Sequence, residues 1–172
     1  RRPGRGFWHD LSHADGRVAS THRAGEGRIG ELLEKQRNDA MKFGFSLIVR
    51  GKAATPATFD AMAAKAEALK IDALWASDHL VFPPFITSSY PGRADGQLPD
   101  DWKQTYYQPF SVLNYLAART TSVRLGTSVL ILPMRNPLEI AAQFAEMDNL
   151  SGGRVNFGVG VGWYSEEFEA LG

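Results

Sequence analysis

The chain has 172 residues, 44% of them hydrophobic and 22% charged, which suits one ordinary folded domain and argues against a disordered chain. Nineteen Lys and Arg side chains balance nineteen Asp and Glu, which removes the basic footprint of a nucleic-acid binder or of a protein held on anionic membrane; a small-molecule partner is expected instead. There is no cysteine for disulfide or thiolate chemistry, so the cytoplasm is the expected setting, and apolar runs such as residues 129–132 are far shorter than the ~18 residues that cross a bilayer.

Residues 1–40 differ from the rest. They hold three of the four histidines (His9, His13 and His22), six of the seventeen glycines and no strand-like run. Met41 is followed at once by the strand-like KFGFSLIV, so a poorly ordered N-terminal extension over residues 1–40 is expected ahead of a domain over residues 41–172. Arg1-Arg2 is not followed by the apolar run that a twin-arginine signal requires. His9 and His13 stand four apart with Asp10 between them, a spacing that binds metal on a helix, but Gly4, Gly6 and Gly16 oppose a helix and no metal site is expected. Residues 31–37 read as a short solvated helix.

From Met41 onward, strand and helix signals alternate. A first strand is expected over 42–49; Thr55-Pro56 then supplies an N-cap and a proline for a first helical turn, with Phe59, Met62, Ala63, Ala66 and Leu69 on one apolar face. A second strand follows over 73–77. Pro109 starts a second helix that buries Phe110, Leu113, Leu116 and Ala117, and a third strand is read over 123–130. Asn136-Pro137 repeats the capped start; Ile140, Ala141, Phe144 and Met147 form the buried face, and Gly152-Gly153 ends the helix. A fourth strand is read over 155–159. Ser165 is expected to cap a last helix, with Glu166 and Glu167 complementing its macrodipole.

Strands joined by helices pair in parallel with right-handed crossovers, which leaves a doubly wound sheet or a barrel. A complete (β/α)8 barrel needs roughly 250 residues, so on that reading the chain is half of one, with uncovered strand edges that predict poor stability or association. Both architectures bind ligands beyond the carboxyl ends of their strands, and three unusual stretches fall there. The first is Asp78-His79, closing the second strand. His79 is the only histidine after His22 and can exchange protons near neutral pH; the structural alternative is a helix-capping Asp78 beside a packed histidine. The second is Thr127-Ser128-Val129 with the PMRNP turn beyond it. The third is GVGVGW, residues 158–163, which has Trp163 where a dinucleotide fingerprint needs glycine; its glycines at 158, 160 and 162 suit either a close ligand or a crowded barrel strand. The connection over 80–107 carries Phe82, Phe85, Tyr90, Trp102, Tyr106 and Tyr107 and reads as a lid or pocket wall.

WASDHLVFP, LGTSVLILPMRNPLEIAAQFAEMDNLSGGRVNFGVGVGW and the following EEFEALG resemble the bacterial-luciferase-like superfamily of flavin and deazaflavin oxidoreductases, across residues 41–172. The resemblance implies the first half of a (β/α)8 TIM barrel, homodimeric when full length, holding coenzyme F420 or FMN at the strand ends, with much of the cofactor phosphate site in the second half. It implies His79 as the catalytic proton donor or acceptor, and Asp78, Ser128, Val129, Gly160 and Gly162 at the cofactor, with a non-prolyl cis peptide at Ser128-Val129. Phe82, Trp102 and Trp163 are expected at the substrate pocket. The sugar-phosphate dehydrogenase branch has a glutamate where this chain has Trp163, which argues against a sugar-phosphate substrate. The expected activity is hydride transfer between F420 and a small organic substrate. The alternatives are FMN-dependent monooxygenation with O2 and a truncated, non-catalytic barrel.

Overall fold

The computed structural model describes residues 41–103 and 105–172; the expectations for residues 1–40, with His9, His13 and the helix over 31–37, lie outside the described residues. Local signals set the helix starts. Thr55 is extended and its hydroxyl accepts from the Thr58 N–H at 3.2 Å, while Pro56 sits where an N–H would have no helical partner, so helix α1 runs Pro56–Ala68. Asn136 likewise accepts from the Leu138 and Glu139 N–H groups to start α3, Pro137–Ser151, and Gly152 ends it in the left-handed region at φ 73°. Helix α2, Pro109–Ala117, also begins on its proline.

Between these helices lie β1 (Gly44–Ser46), β2 (Ala73–Ala76), β3 (Arg124–Thr127) and β5 (Val155–Asn156), which form one parallel sheet in the order β1-β2-β3-β5. The strands read over 123–130 and 155–159 are each broken. Each resumes as a short strand, β4 (Leu130–Ile131) and β6 (Val159–Gly160), and these two pair in parallel. The cause is a shared kink. At Gly158 the chain passes so close to its neighbour that an added Cβ would lie 2.1 Å from the Thr127 carbonyl oxygen. The Thr127 hydroxyl replaces the ladder there, donating to Gly158 O at 2.7 Å and accepting from Gly158 N at 3.2 Å.

Helices α1, α2 and α3 cover one face of the sheet. Leu47, Val49, Leu74, Ala76 and Leu125 meet Phe59, Leu113, Leu116 and Met147 in a single core. Leu69 is not part of it: α1 stops at Ala68, Leu69 is its C-cap, and the side chain is 57% exposed. Ala141 is exposed as well, because the inward stripe of α3 runs Ile140, Phe144, Met147 and Ser151 and Ala141 turns off it. On the opposite face Trp75 spans its neighbours; a Cβ on Gly44 would lie 2.4 Å from the indole nitrogen and one on Gly126 2.6 Å from the ring. Phe43 just before β1 and Phe45 within it, and Phe157, Val159 and Val161 beyond β5, are exposed, so both sheet edges present apolar side chains. No helix among the described residues is long and apolar enough to cross a membrane.

Candidate functional site

The carboxyl end of β2 carries the central pair. Asp78 is buried and caps no helix. Its Oδ2 accepts from the Ile131 N–H at 3.0 Å and from Arg135 Nε at 3.2 Å, and Arg135 also donates to Oδ1, so the carboxylate fastens the chain after β4 to the end of β2. Arg135 donates again to Gln108 Oε1 at 3.0 Å, and Gln108 Nε2 donates to the His79 carbonyl at 2.6 Å. One short network thus fixes the backbone on which His79 stands.

The His79 ring is fixed independently. Its Nδ1 lies 2.8 Å from Oε2 of Glu167, a side chain with no exposed surface, whose Oε1 accepts from the Leu80 N–H and, at 3.1 Å, from the Val81 N–H. Two backbone donors commit that carboxylate to accepting, so Nδ1 carries a proton toward it and Nε2 is the nitrogen with no partner among the described residues. Phe82, Tyr106, Trp163 and Tyr164 surround the imidazole, with ring centroids 5.1 to 6.1 Å away.

Glu167 therefore does more than complement a helix dipole. Helix α4, Ser165–Leu171, takes Tyr164 as its N-cap, and Ser165 is its first helical residue and makes no cap bond. The first turn of α4 faces the loop after β2: Glu166 accepts from Thr87 N and Oγ1, each at 2.6 Å, and from Ser88 N at 2.9 Å. The Thr87 and Ser88 hydrogen bonds hold its carboxyl well below the usual carboxylate range. Beside them the Tyr164 hydroxyl is buried without a hydrogen-bond partner among the described residues, and burial pushes its pKa up to about 12.

Asp78 and His79 border a cavity of about 400 Å³ at the strand ends, with Glu167 behind the imidazole and outside the wall. Of the residues expected there, Asp78, His79, Ser128, Val129, Gly162, Trp102 and Trp163 line it. The Ser128–Val129 peptide is cis, and Val129 is 42% exposed. Gly160 and Phe82 are not in the wall. Gly160 makes room for Val129, since a Cβ there would lie 2.5 Å from Val129 Cγ2, and Phe82 packs behind His79 against Tyr106. The aromatic loop does form a wall, with Tyr90 bridging Trp102 at 5.3 Å and Trp163 at 5.4 Å. Tyr106 of that loop lines the cavity too, whereas Ser46, Arg50, Ser77 and Ile131 line it without a motif to mark them; for Arg50, its place just after the first strand is the available signal.

The family model described as luciferase-like monooxygenase matches residues 41–172. An uncharacterized protein of Mycobacterium tuberculosis is 32% identical over 127 residues, 74% of this chain and 44% of its own length, so the chain spans less than half of that curated relative. Among solved structures, the monooxygenase RslO1 of Streptomyces bottropensis is 28% identical with a TM-score of 0.58, over 76% of this chain and 36% of its own. The coenzyme F420 dependent tetrahydromethanopterin reductase of Methanopyrus kandleri is 23% identical with a TM-score of 0.53, over 76% of this chain and 29% of its own. The parallel sheet, its one-sided helices and these likenesses identify the fold as part of the luciferase-like (β/α)8 barrel.

Proposed function

Because the chain belongs to the luciferase-like monooxygenase family, we propose that it serves a deazaflavin-dependent oxidoreductase that moves hydride between coenzyme F420 and a small organic substrate, as a homodimer when full length. The observation that carries this is the meeting of His79, held from behind by the buried Glu167, and the half-exposed Val129 on one strand-end cavity. A planar ring system needs an apolar support and polar edges. Val129 and Trp163 offer the first; Ser46, Ser77 and Ser128 offer the second. Asp78 would act indirectly, since its oxygens are taken by Arg135 and Ile131. When bound, a deazaflavin supplies a carbon that gives or takes hydride. His79 supplies the accompanying proton transfer: Glu167 holds the Nδ1 proton, and Nε2 gives or receives a proton at the substrate.

In the protein as encoded, with its second half if the gene continues, fluorescence titration with F420 and FMN in parallel tests the cofactor. His79→Ala should cut turnover at least about 100-fold while leaving cofactor affinity within roughly twofold. Unchanged turnover removes His79 from the mechanism. The similarity to RslO1 favours a second reading, FMN-dependent monooxygenation. Oxygen consumption with reduced cofactor separates the two, and binding of neither cofactor supports a non-catalytic barrel.

A further inference from the structure

We infer that Arg50 marks a subsite for an anionic group on the substrate, a carboxylate by class, beside the wall of Tyr90, Trp102 and Trp163. This rests on the proposed function, which places substrate as well as cofactor in this cavity.

The charges around the cavity do not balance locally. Asp78 is paired with Arg135, and Glu167 with His79 and two backbone N–H groups. Arg50 lines the same cavity and has no carboxylate partner among the described residues. Nor is it a freely waving surface cation. Its guanidinium lies 3.7 Å over the Trp102 ring, and its Nη1 donates to Ser77 Oγ at 3.0 Å. The stacked face is covered by the indole, so the N–H edge is the part available, and most of its five donors remain unspent.

The neighbouring hydroxyls add to the surplus. Ser77 Oγ and Tyr106 Oη are 2.6 Å apart, and Ser77 already accepts from Arg50. If Tyr106 donates to Ser77, the Ser77 proton is left over; if Ser77 donates to Tyr106, the Tyr106 proton is. Either way, among the described residues, one hydroxyl proton stands unused beside a guanidinium that has no carboxylate partner. The nearest acidic acceptor in the wall, Asp78, is already filled by Arg135 and the Ile131 N–H. A ligand here must bring acceptors and negative charge. A carboxylate does both, and its planar pair of oxygens matches the guanidinium fork.

The test uses the full-length protein and two probes of one shape, benzoate and benzamide, followed by quenching of the fluorescence of the tryptophans in the wall. Benzoate should bind about tenfold tighter than benzamide. Arg50→Gln should erase that preference and Arg50→Lys should retain part of it. Equal binding of the two probes, or an unchanged ratio in Arg50→Gln, overturns the inference. So does a loss of FMN or F420 affinity in Arg50→Gln with benzoate binding intact, because the anion would then be the cofactor's. Should Arg50→Gln fail to fold, the wild type still decides: benzoate affinity must fall between about 50 and about 500 mM salt and benzamide affinity must not. Benzoate preference without binding of either cofactor keeps the anion subsite and removes the oxidoreductase reading.

Discussion

The two ends of the parallel sheet are built alike, from charged side chains that satisfy backbone groups, yet among the described residues only one end has hydrogen-bonding capacity left over. At the amino end Glu67, on the last turn of α1, accepts from three consecutive N–H groups, Thr121 (2.8 Å), Ser122 (2.9 Å) and Val123 (3.1 Å), through one oxygen. Its other oxygen takes the Ser122 and Thr121 hydroxyls. Arg154, just before β5, spends all five of its N–H donors, on the carbonyls of Ser151, Val123, Ala117 and Thr120 and on the Thr120 hydroxyl. At the carboxyl end Asp78 and Glu167 are equally committed, but Nε2 of His79, the edge of Arg50 and one proton of the Ser77–Tyr106 pair are not. A fastening uses up its donors and acceptors; a site keeps some facing a cavity.

The largest effect expected from this contrast is on stability at the amino end. Arg154→Ala leaves four carbonyls without their donor in a half-buried setting and should lower unfolding free energy by about 3 kcal/mol, read as a drop in the urea midpoint. Cofactor affinity of the folded protein should not change. A loss below about 1 kcal/mol, or an affinity change without a stability change, breaks the division between the two ends.

At the carboxyl end the larger effect should be on rate. In Glu167→Gln the amide oxygen stays with the Leu80 and Val81 N–H groups, which turns the amide NH2 toward Nδ1 of His79. Nδ1 must then accept, and the ring proton moves to Nε2. Turnover should fall about 100-fold with a smaller loss of stability, and the 15N shifts of His79 should report the exchanged tautomer. A normal rate with a normal tautomer would reduce Glu167 to a fastening like Glu67.

What the sequence made legible follows the range of each interaction. Thr55-Pro56 and Asn136-Pro137 act within one turn, so the starts of α1 and α3 could be read directly, and the position of Asp78-His79 follows from one strand ending. Glu167 lies 88 positions from His79. Locally, Ser165-Glu166-Glu167 looks like any acidic helix start, and only the folded chain shows that both glutamates face the loop after β2. The glycines of GVGVGW were open between ligand and crowding. Gly158 and Gly160 answer for crowding, against the Thr127 carbonyl and the Val129 side chain, and crowding of that kind also breaks the two strands that read as continuous.

The smallest effect sharpens the comparison through pH. Burial alone would raise the Glu67 pKa, but hydrogen bonds from Ser122, Val123 and Thr121 outweigh it and bring it down from 4.5 to about 2. A depressed pKa means the folded state holds the ionised form more tightly than the unfolded state does. The contribution is therefore whole above the unfolded value of 4.5 and disappears as pH falls toward about 2. Glu67→Gln should thus cost about 1 kcal/mol near pH 7, a value typical of a carboxylate cap partly screened by water. The urea midpoints of mutant and wild type should converge between about pH 4.5 and about pH 2. Cofactor affinity at pH 7 should be the same in both. A constant gap across that range would mean that Glu67 acts by shape rather than charge, and a change in affinity would mean that the amino end communicates with the site.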